Sequence, residues 1–214
     1  MEFLKKYGLA NLDEELILTA LTHSSYANEH GGADYERLEY LGDAVLQLVV
    51  SEYYYLTADL DEGEMSKQRA SFVCEGALVE YAEKIELKNY IRTGEGQKHN
   101  IGPAIIADVF EAVIGAIYLS SGISQVKKFI YQLVVPYIEK KYLFFEDYKS
   151  VLQEMVQTSK DSLEYVVTSE KGPAHNRIFT VEVRIDGIVF GVGLGKTKKE
   201  AEQQAAYSAY QKKA

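Results

Sequence analysis

Asp108 and Glu111 stand three residues apart in residues 104–119 (AIIADVFEAVIGAIYL), which carry no other charge. Apolar residues fill every side of this stretch at helical period, so it reads as a helix buried all round. Ionised carboxylates in such a place are costly unless paired or metal-bound. The i, i+3 spacing projects both acids from one face. Their neighbours on that stripe, Ala104 and Gly115, are small and leave room. A second set, Glu36, Glu39 and Asp43, is spaced by three and four residues and so shares one stripe of a helix over residues 36–55. If the two helices pack side by side, four or five carboxylates converge. Such a cluster repels itself unless cations neutralise it, and hard oxygen donors without Cys or clustered His suit Mg²⁺ or Mn²⁺. The implied chemistry is metal-assisted hydrolysis of a phosphodiester, with a metal-held water as nucleophile. Taken alone, Glu36, Glu39 and Asp43 also read as a solvated helix face, and Arg37, Arg69 and Arg92 are available as distant structural partners.

The elements that must position these acids are helical. Residues 36–55 form an amphipathic helix with Asp34 as N-cap. Its acid stripe continues as Leu46, Gln47 and Val50, and its main apolar face is Leu38, Leu41, Val45 and Leu48/Val49. A short apolar segment covers residues 16–22, and further helices cover 66–85 and 126–142. Gly122 and Ser124 mark a stop and a restart; Gly31-Gly32 and residues 94–102 read as loops. The character changes after about residue 146. Residues 148–159 are helical, 163–169 strand-like, and 178–185 alternate cleanly between apolar and polar. Asp186-Gly187 is a two-residue hairpin turn leading to a strand over 188–194. A closing helix over 197–212 presents Ala201, Ala205 and Ala209 to the sheet. The reading is an all-α domain over 1–141, a partly packed linker over 142–147, and a small α+β domain (α-β-β-β-α) over 148–214.

That second domain holds a basic helix start. Thr197 and Glu200 fit a capping box, which puts Lys198 and Lys199 in the first turn with Lys196 beside them. Cations there oppose the helix dipole but favour a bound phosphate, and Gly191, Gly193 and Gly195 reduce bulk nearby. A solvated lysine pair is the plainer reading. Gln153, Glu154 and the loop histidine His175 are weak signals singly, and His23 and His30 read as local hydrogen-bonding residues.

Composition bounds the rest. The formal charge is −9, and all of it belongs to residues 1–145, with 13 basic and 22 acidic side chains; residues 146–214 hold 10 of each. Neither part has the basic balance of an ordinary nucleic-acid binder, so phosphate binding must rest on local clusters or on cations held by the acids. Apart from 104–119 with its two acids, no apolar run approaches the roughly 18 residues of a membrane helix. The N-terminus, MEFLKKYGLANL, lacks the long apolar core of a secretory signal. A single cysteine, Cys74, excludes an intrachain disulfide and a cysteine-based zinc site. The expectation is a cytoplasmic protein with no membrane and no organic cofactor.

The run Glu36-Arg37-Leu38-Glu39-Tyr40-Leu41-Gly42-Asp43-Ala44-Val45-Leu46 resembles the signature of ribonuclease III. Residues 21–29 (LTHSSYANE) and 108–119 resemble the same family, and residues 147–214 resemble its double-stranded-RNA-binding domain. The resemblance spans nearly the whole chain in order. It implies a Mg²⁺-dependent homodimer, paired through the nuclease domain, that cuts double-stranded RNA to 5′-phosphate and 3′-hydroxyl ends with short 3′ overhangs. By resemblance its tasks include processing of ribosomal RNA precursors and other structured transcripts. Glu39, Asp43, Asp108 and Glu111 match the family's catalytic metal-binding acids. Glu36 matches another signature acid, and Glu64 an acid placed near the RNA. Gln153 and Glu154 match minor-groove contacts. Pro173, Ala174 and His175 match the loop that enters the next minor groove, and Lys196, Lys198 and Lys199 match phosphate contacts. Tyr35 stands where Asn usually precedes the signature, and Ser25 where Arg usually follows Thr-His. A non-catalytic double-stranded-RNA-binding regulator is the alternative, and it differs by leaving a duplex whole in Mg²⁺. A phosphohydrolase of small nucleotides leaves residues 147–214 without a purpose.

Overall fold

Ten α-helices, two short 3-10 helices (Leu87–Tyr90 and Glu95–Gln97) and three strands lie among the described residues of the computed structural model, which are 2–9, 11–98, 100–142, 144, 148–159, 161–173 and 177–213. They divide into two units, residues 1–142 and 143–214.

The first unit is all-helical: α1 (Glu2–Lys5), α2 (Glu14–Ala20), α3 (Ser24–His30), α4 (Glu36–Thr57), α5 (Glu62–Phe72), α6 (Glu75–Lys84), α7 (Pro103–Ser121) and α8 (Ile123–Glu139). α7 is the hub, packed against α2, α4, α6 and α8. Pro103 opens it, where a missing N–H costs nothing. Gly122 ends it at φ +74°, a left-handed conformation suited to glycine, and donates its N–H to the Tyr118 carbonyl at 2.8 Å. Its middle, from Val109 to Ile117, is buried apart from Glu111. Ala104 and Leu119 are exposed, so burial all round holds for the central turns only. α7 is long and apolar enough to cross a membrane by composition, yet it occupies the core of this unit.

α4 meets α7 backbone to backbone. A methyl group at Gly42 would stand 1.8 Å from the Glu111 carbonyl oxygen, and one at Gly115 would stand 2.4 Å from that of Leu38. The room expected beside Gly115 is therefore filled by α4 itself. The buried face of α4 is Leu38, Gly42, Val45, Leu46, Val49, Val50 and Tyr54. Leu48, read above as core, is 59% exposed, because the packed stripe is rotated toward Leu46 and Val50.

Several helix boundaries differ from the sequence reading: the helix expected over 126–142 spans Ile123–Glu139, and α3 was not expected. Residues 66–85 are not one helix: α5 ends at Phe72 and α6 starts after Cys74. The break lets both Phe72 and Tyr81 reach the core, and the Tyr81 hydroxyl donates to the Phe72 carbonyl at 3.2 Å. α5 also begins earlier, at an Asp61–Glu64 capping box. In α4, Tyr35 takes the cap position without a side-chain cap bond, and the Asp34 carboxylate accepts from the Glu36 N–H at 3.2 Å.

The second unit runs α9 (Tyr148–Ser159), β1 (Leu163–Lys171), β2 (Ile178–Ile185), β3 (Ile188–Gly195) and α10 (Lys198–Lys213), the expected α-β-β-β-α order. The strands pair antiparallel in the order β1-β2-β3. Asp186 (φ +48°) and Gly187 (φ +77°) make the tight hairpin turn. Leu152, Val156, Val181, Val183, Ile185, Ala201, Ala205, Ala206 and Ala209 form its core. Gly191, Gly193 and Gly195 serve packing and not ligand approach: a methyl group on Gly191 or Gly193 would stand about 2 Å from the Ala205 or Ala201 carbonyl of α10. In the linker, Tyr142 packs on Tyr137 and donates to Glu80 at 3.2 Å; residues 143 and 145–147 lie outside the described residues.

The helix crossing carries the first test. Gly42→Ala must push α4 and α7 apart, since a backbone carbonyl cannot rotate away as a side chain would. A stability loss of about 3 kcal/mol, at the upper end of overpacking costs, is expected in urea denaturation. A variant as stable as the parent would show that the two backbones are not in contact.

Candidate active site

Gly42 immediately precedes Asp43 and follows Glu39 by three residues, so the point of closest helix approach lies within the acid cluster. It carries Glu39 and Asp43 on α4 to Asp108 and Glu111 on α7. The coupling shows in the electrostatics. Burial first, then the charges of Asp43, Glu39 and Asp108, push the Glu111 carboxyl from the ordinary 4.5 up to about 8. Glu39 is raised by burial and by Asp108, Glu36 and Asp43. Asp108 is raised by burial, against which the Tyr35 hydrogen bond and the His23 imidazole act. Among the described ion pairs none includes any of these four acids.

Two of the acids are held by neutral donors. Gln47 Nε2 donates to both oxygens of Asp43, at 2.8 and 3.1 Å. The Tyr35 hydroxyl donates to Asp108 Oδ2 at 3.1 Å. Neither role was anticipated. Gln47 was discernible as the residue one turn beyond Asp43 on the same stripe, whereas Tyr35 carried no signal beyond its departure from the family pattern. Glu36 is exposed in the first turn of α4 and acts on Glu39 through its charge. Glu64 is occupied locally, exchanging hydrogen bonds with Asp61 across the α5 cap.

The donor set is four carboxylates with unbalanced negative charge and no thiol, which suits a hard divalent ion. Among the described residues no three Asp, Glu, His or Cys side chains already form a closed ion cage. The helix crossing thus fixes which carboxylates are neighbours.

In the second unit Lys196, Lys198 and Lys199 are exposed at the start of α10. The Thr197 hydroxyl accepts from the Glu200 N–H at 3.1 Å, and the Glu200 carboxylate accepts from the Lys196 N–H at 2.7 Å, one residue earlier than a standard capping box. The Lys198 ammonium lies 5.9 Å from the centre of the Phe179 ring. Gln153 and Pro173 are exposed. The Glu154 side chain, Ala174 and His175 lie outside the described residues.

Burial of Glu111 makes stability pH-dependent. Its folded-state pKa exceeds the unfolded value, so the folded chain binds the extra proton, and stability falls as pH rises from about 4.5 to about 8. In EDTA, Glu111→Gln is expected to melt above the parent at pH 8 and level with it below pH 4.5. Parallel melting curves at both pH values would contradict this.

Known proteins align with this architecture. A family model described as Ribonuclease-III-like matches residues 13–138, and a double-stranded RNA binding motif matches residues 148–213. Ribonuclease 3 of Listeria welshimeri is 49% identical over 96% of this chain and 93% of its own length. Ribonuclease 3 of Bacillus cereus is 46% identical over 98% of this chain and 89% of its own. The crystal structure of the ribonuclease III nuclease domain of Campylobacter jejuni superposes with a TM-score of 0.57 at 35% identity, covering 62% of this chain and 91% of that one. A second structure of that domain, showing structural flexibility in a region involved in its dimer formation, gives a TM-score of 0.58. With the nuclease fold, its acids and an RNA-binding module in one chain, the protein belongs to the ribonuclease III family of double-stranded-RNA endoribonucleases.

Proposed function

We propose that Glu39, Asp43, Asp108 and Glu111 hold Mg²⁺, with Mn²⁺ as a substitute, and that the chain hydrolyses RNA phosphodiesters there to leave 5′-phosphate and 3′-hydroxyl ends. The observation that carries this is the α4–α7 contact, which sets Glu111 beside the other acids: burial first, then the charges of Asp43, Glu39 and Asp108, push its carboxyl up to about 8, and none of the described ion pairs includes it. When bound, the ion supplies charge neutralisation at the scissile phosphate and a water acidic enough to act as nucleophile. The residues themselves do the positioning. Gln47 fixes Asp43, Tyr35 fixes Asp108, and the α4–α7 contact fixes the spacing between the two pairs. Glu36 lies at the exposed mouth of the cluster, and Glu64 stabilises the start of α5.

The second unit supplies grip. Double-stranded RNA is recognised chiefly by shape, through 2′-hydroxyls across the shallow minor groove and phosphates across the major groove. Lys196, Lys198 and Lys199 at a helix start suit the phosphates. Gln153 and Glu154 on α9, and the loop of Pro173, Ala174 and His175, take the minor-groove roles. A second copy of the chain completes the reading. α4 presents Tyr40, 83% exposed, and the same unit carries a cleft lined by Leu16, Leu41 and Leu119 together with Asp34 and Arg37. Two copies each cutting one strand would leave the staggered ends. The proposed setting is the cytoplasm, on ribosomal RNA precursors and other structured transcripts.

A labelled duplex RNA tests both halves. Glu111→Gln is expected to retain duplex binding while cleavage in Mg²⁺ falls by at least a hundredfold; cleavage at the parental rate would overturn the assignment. The double variant Lys198→Glu/Lys199→Glu is expected to weaken binding and to flatten the plot of log affinity against log salt by roughly 2, the loss of two phosphate contacts. An unchanged slope would remove these lysines from the RNA interface.

A further inference from the structure

We propose that Tyr35 is a positioning residue for Asp108, holding one carboxylate oxygen in place and presenting the other to the divalent ion. This rests on the metal reading above and adds a residue that lies outside the acid set.

The geometry begins with the helix cap. Tyr35 stands at the N-cap of α4 but its side chain makes no hydrogen bond to the first turn, and Asp34 accepts there in its stead. The Tyr35 side chain is thereby free to turn inward. It is only 5% exposed, and its hydroxyl crosses from the start of α4 to Asp108 Oδ2 on α7. The backbone beneath it is pinned: the Tyr35 N–H donates to the Thr22 carbonyl at 2.9 Å, and its own carbonyl accepts from Leu38 and Glu39 at 2.8 and 2.9 Å. The ring lies against His23, with centroids 5.7 Å apart.

His23 is itself fixed. Its Nδ1 accepts the Ser25 N–H at 3.1 Å and lies 2.8 Å from Ser25 Oγ, which accepts the Gly94 N–H at 2.9 Å. The His23 N–H donates to the Arg92 carbonyl at 2.9 Å. Tyr35 and Ser25, the two departures from the family pattern, thus lie in one chain of contacts that ends at Asp108. The phenol O–H is the donor in this contact and Asp108 Oδ2 the acceptor. Second-sphere hydrogen bonds of this kind orient a ligand and tune its metal affinity.

Tyr35→Phe isolates the hydroxyl, because the buried ring remains. The full chain, free of RNA, is titrated with Mn²⁺ and the rise in melting temperature followed; cleavage of a labelled duplex is then measured against Mg²⁺. Tyr35→Phe is expected to move the Mn²⁺ midpoint up by about tenfold. It is also expected to lower kcat at limiting Mg²⁺ with KM for the duplex unchanged, and to regain the parental rate at high Mg²⁺. A purely structural role would lower the melting temperature in EDTA and leave the midpoint in place. If the parent responds to Mn²⁺ and Tyr35→Phe responds at the same midpoint, the positioning role is overturned while the metal site stands. If the parent shows no response, the metal reading and this assignment fall together.

Discussion

Where α4 and α7 cross, there is no space for a side chain on either helix. Gly42 lies against the Glu111 carbonyl and Gly115 against that of Leu38. Helices ordinarily pack through interleaved side chains with axes 8–10 Å apart, and glycine at the contact allows a closer approach. That approach sets the separation of the acid pairs, because Glu111 is the residue that Gly42 touches and Asp43 follows Gly42 in the chain. This spacing brings the charges of Glu39, Asp43 and Asp108 onto Glu111, where they add to the burial that raises its carboxyl most, and it makes the cluster suited to a cation.

Unfavourable charge of this kind must be held by something else. α7 contributes a nearly continuous apolar surface to four neighbouring helices, and its burial outweighs the cost of two acids. The donors around the cluster are neutral, Gln47 and Tyr35, and so orient carboxylates without cancelling their charge. An arginine in either place would form an ion pair and weaken the attraction for a metal.

The second unit solves a different problem with a similar device. Gly191, Gly193 and Gly195 on β3 let α10 lie close on the sheet, with Ala201, Ala205 and Ala209 facing them. The start of α10, with its lysines, is thereby set at one end of the sheet. Charge is divided to match the labour: the acidic excess lies in the unit that holds the carboxylate cluster, and the RNA-binding unit is neutral overall but locally basic.

Much of this was legible in the chain. The acids on α7 stood out because no other charge shares their helix, and the strands, the Asp186-Gly187 turn and the alanine face of α10 follow from local periodicity and backbone preference. These features depend on residues near one another in sequence. The break between α5 and α6 was not legible, since no Pro marks it; burial of Phe72 and Tyr81 from opposite sides decides it. Leu48 and Leu46 could not be ranked from the pattern, because the rotation of α4 is set by the contact at Gly42. Tyr35 and Asp108 lie 73 residues apart, and only the crossing of the two helices brings them together. Amino-acid order alone determined which groups could do chemistry and which local elements carry them. The tertiary structure decided which carboxylates meet and what holds each one, because those outcomes depend on the close approach of two backbones distant in the chain.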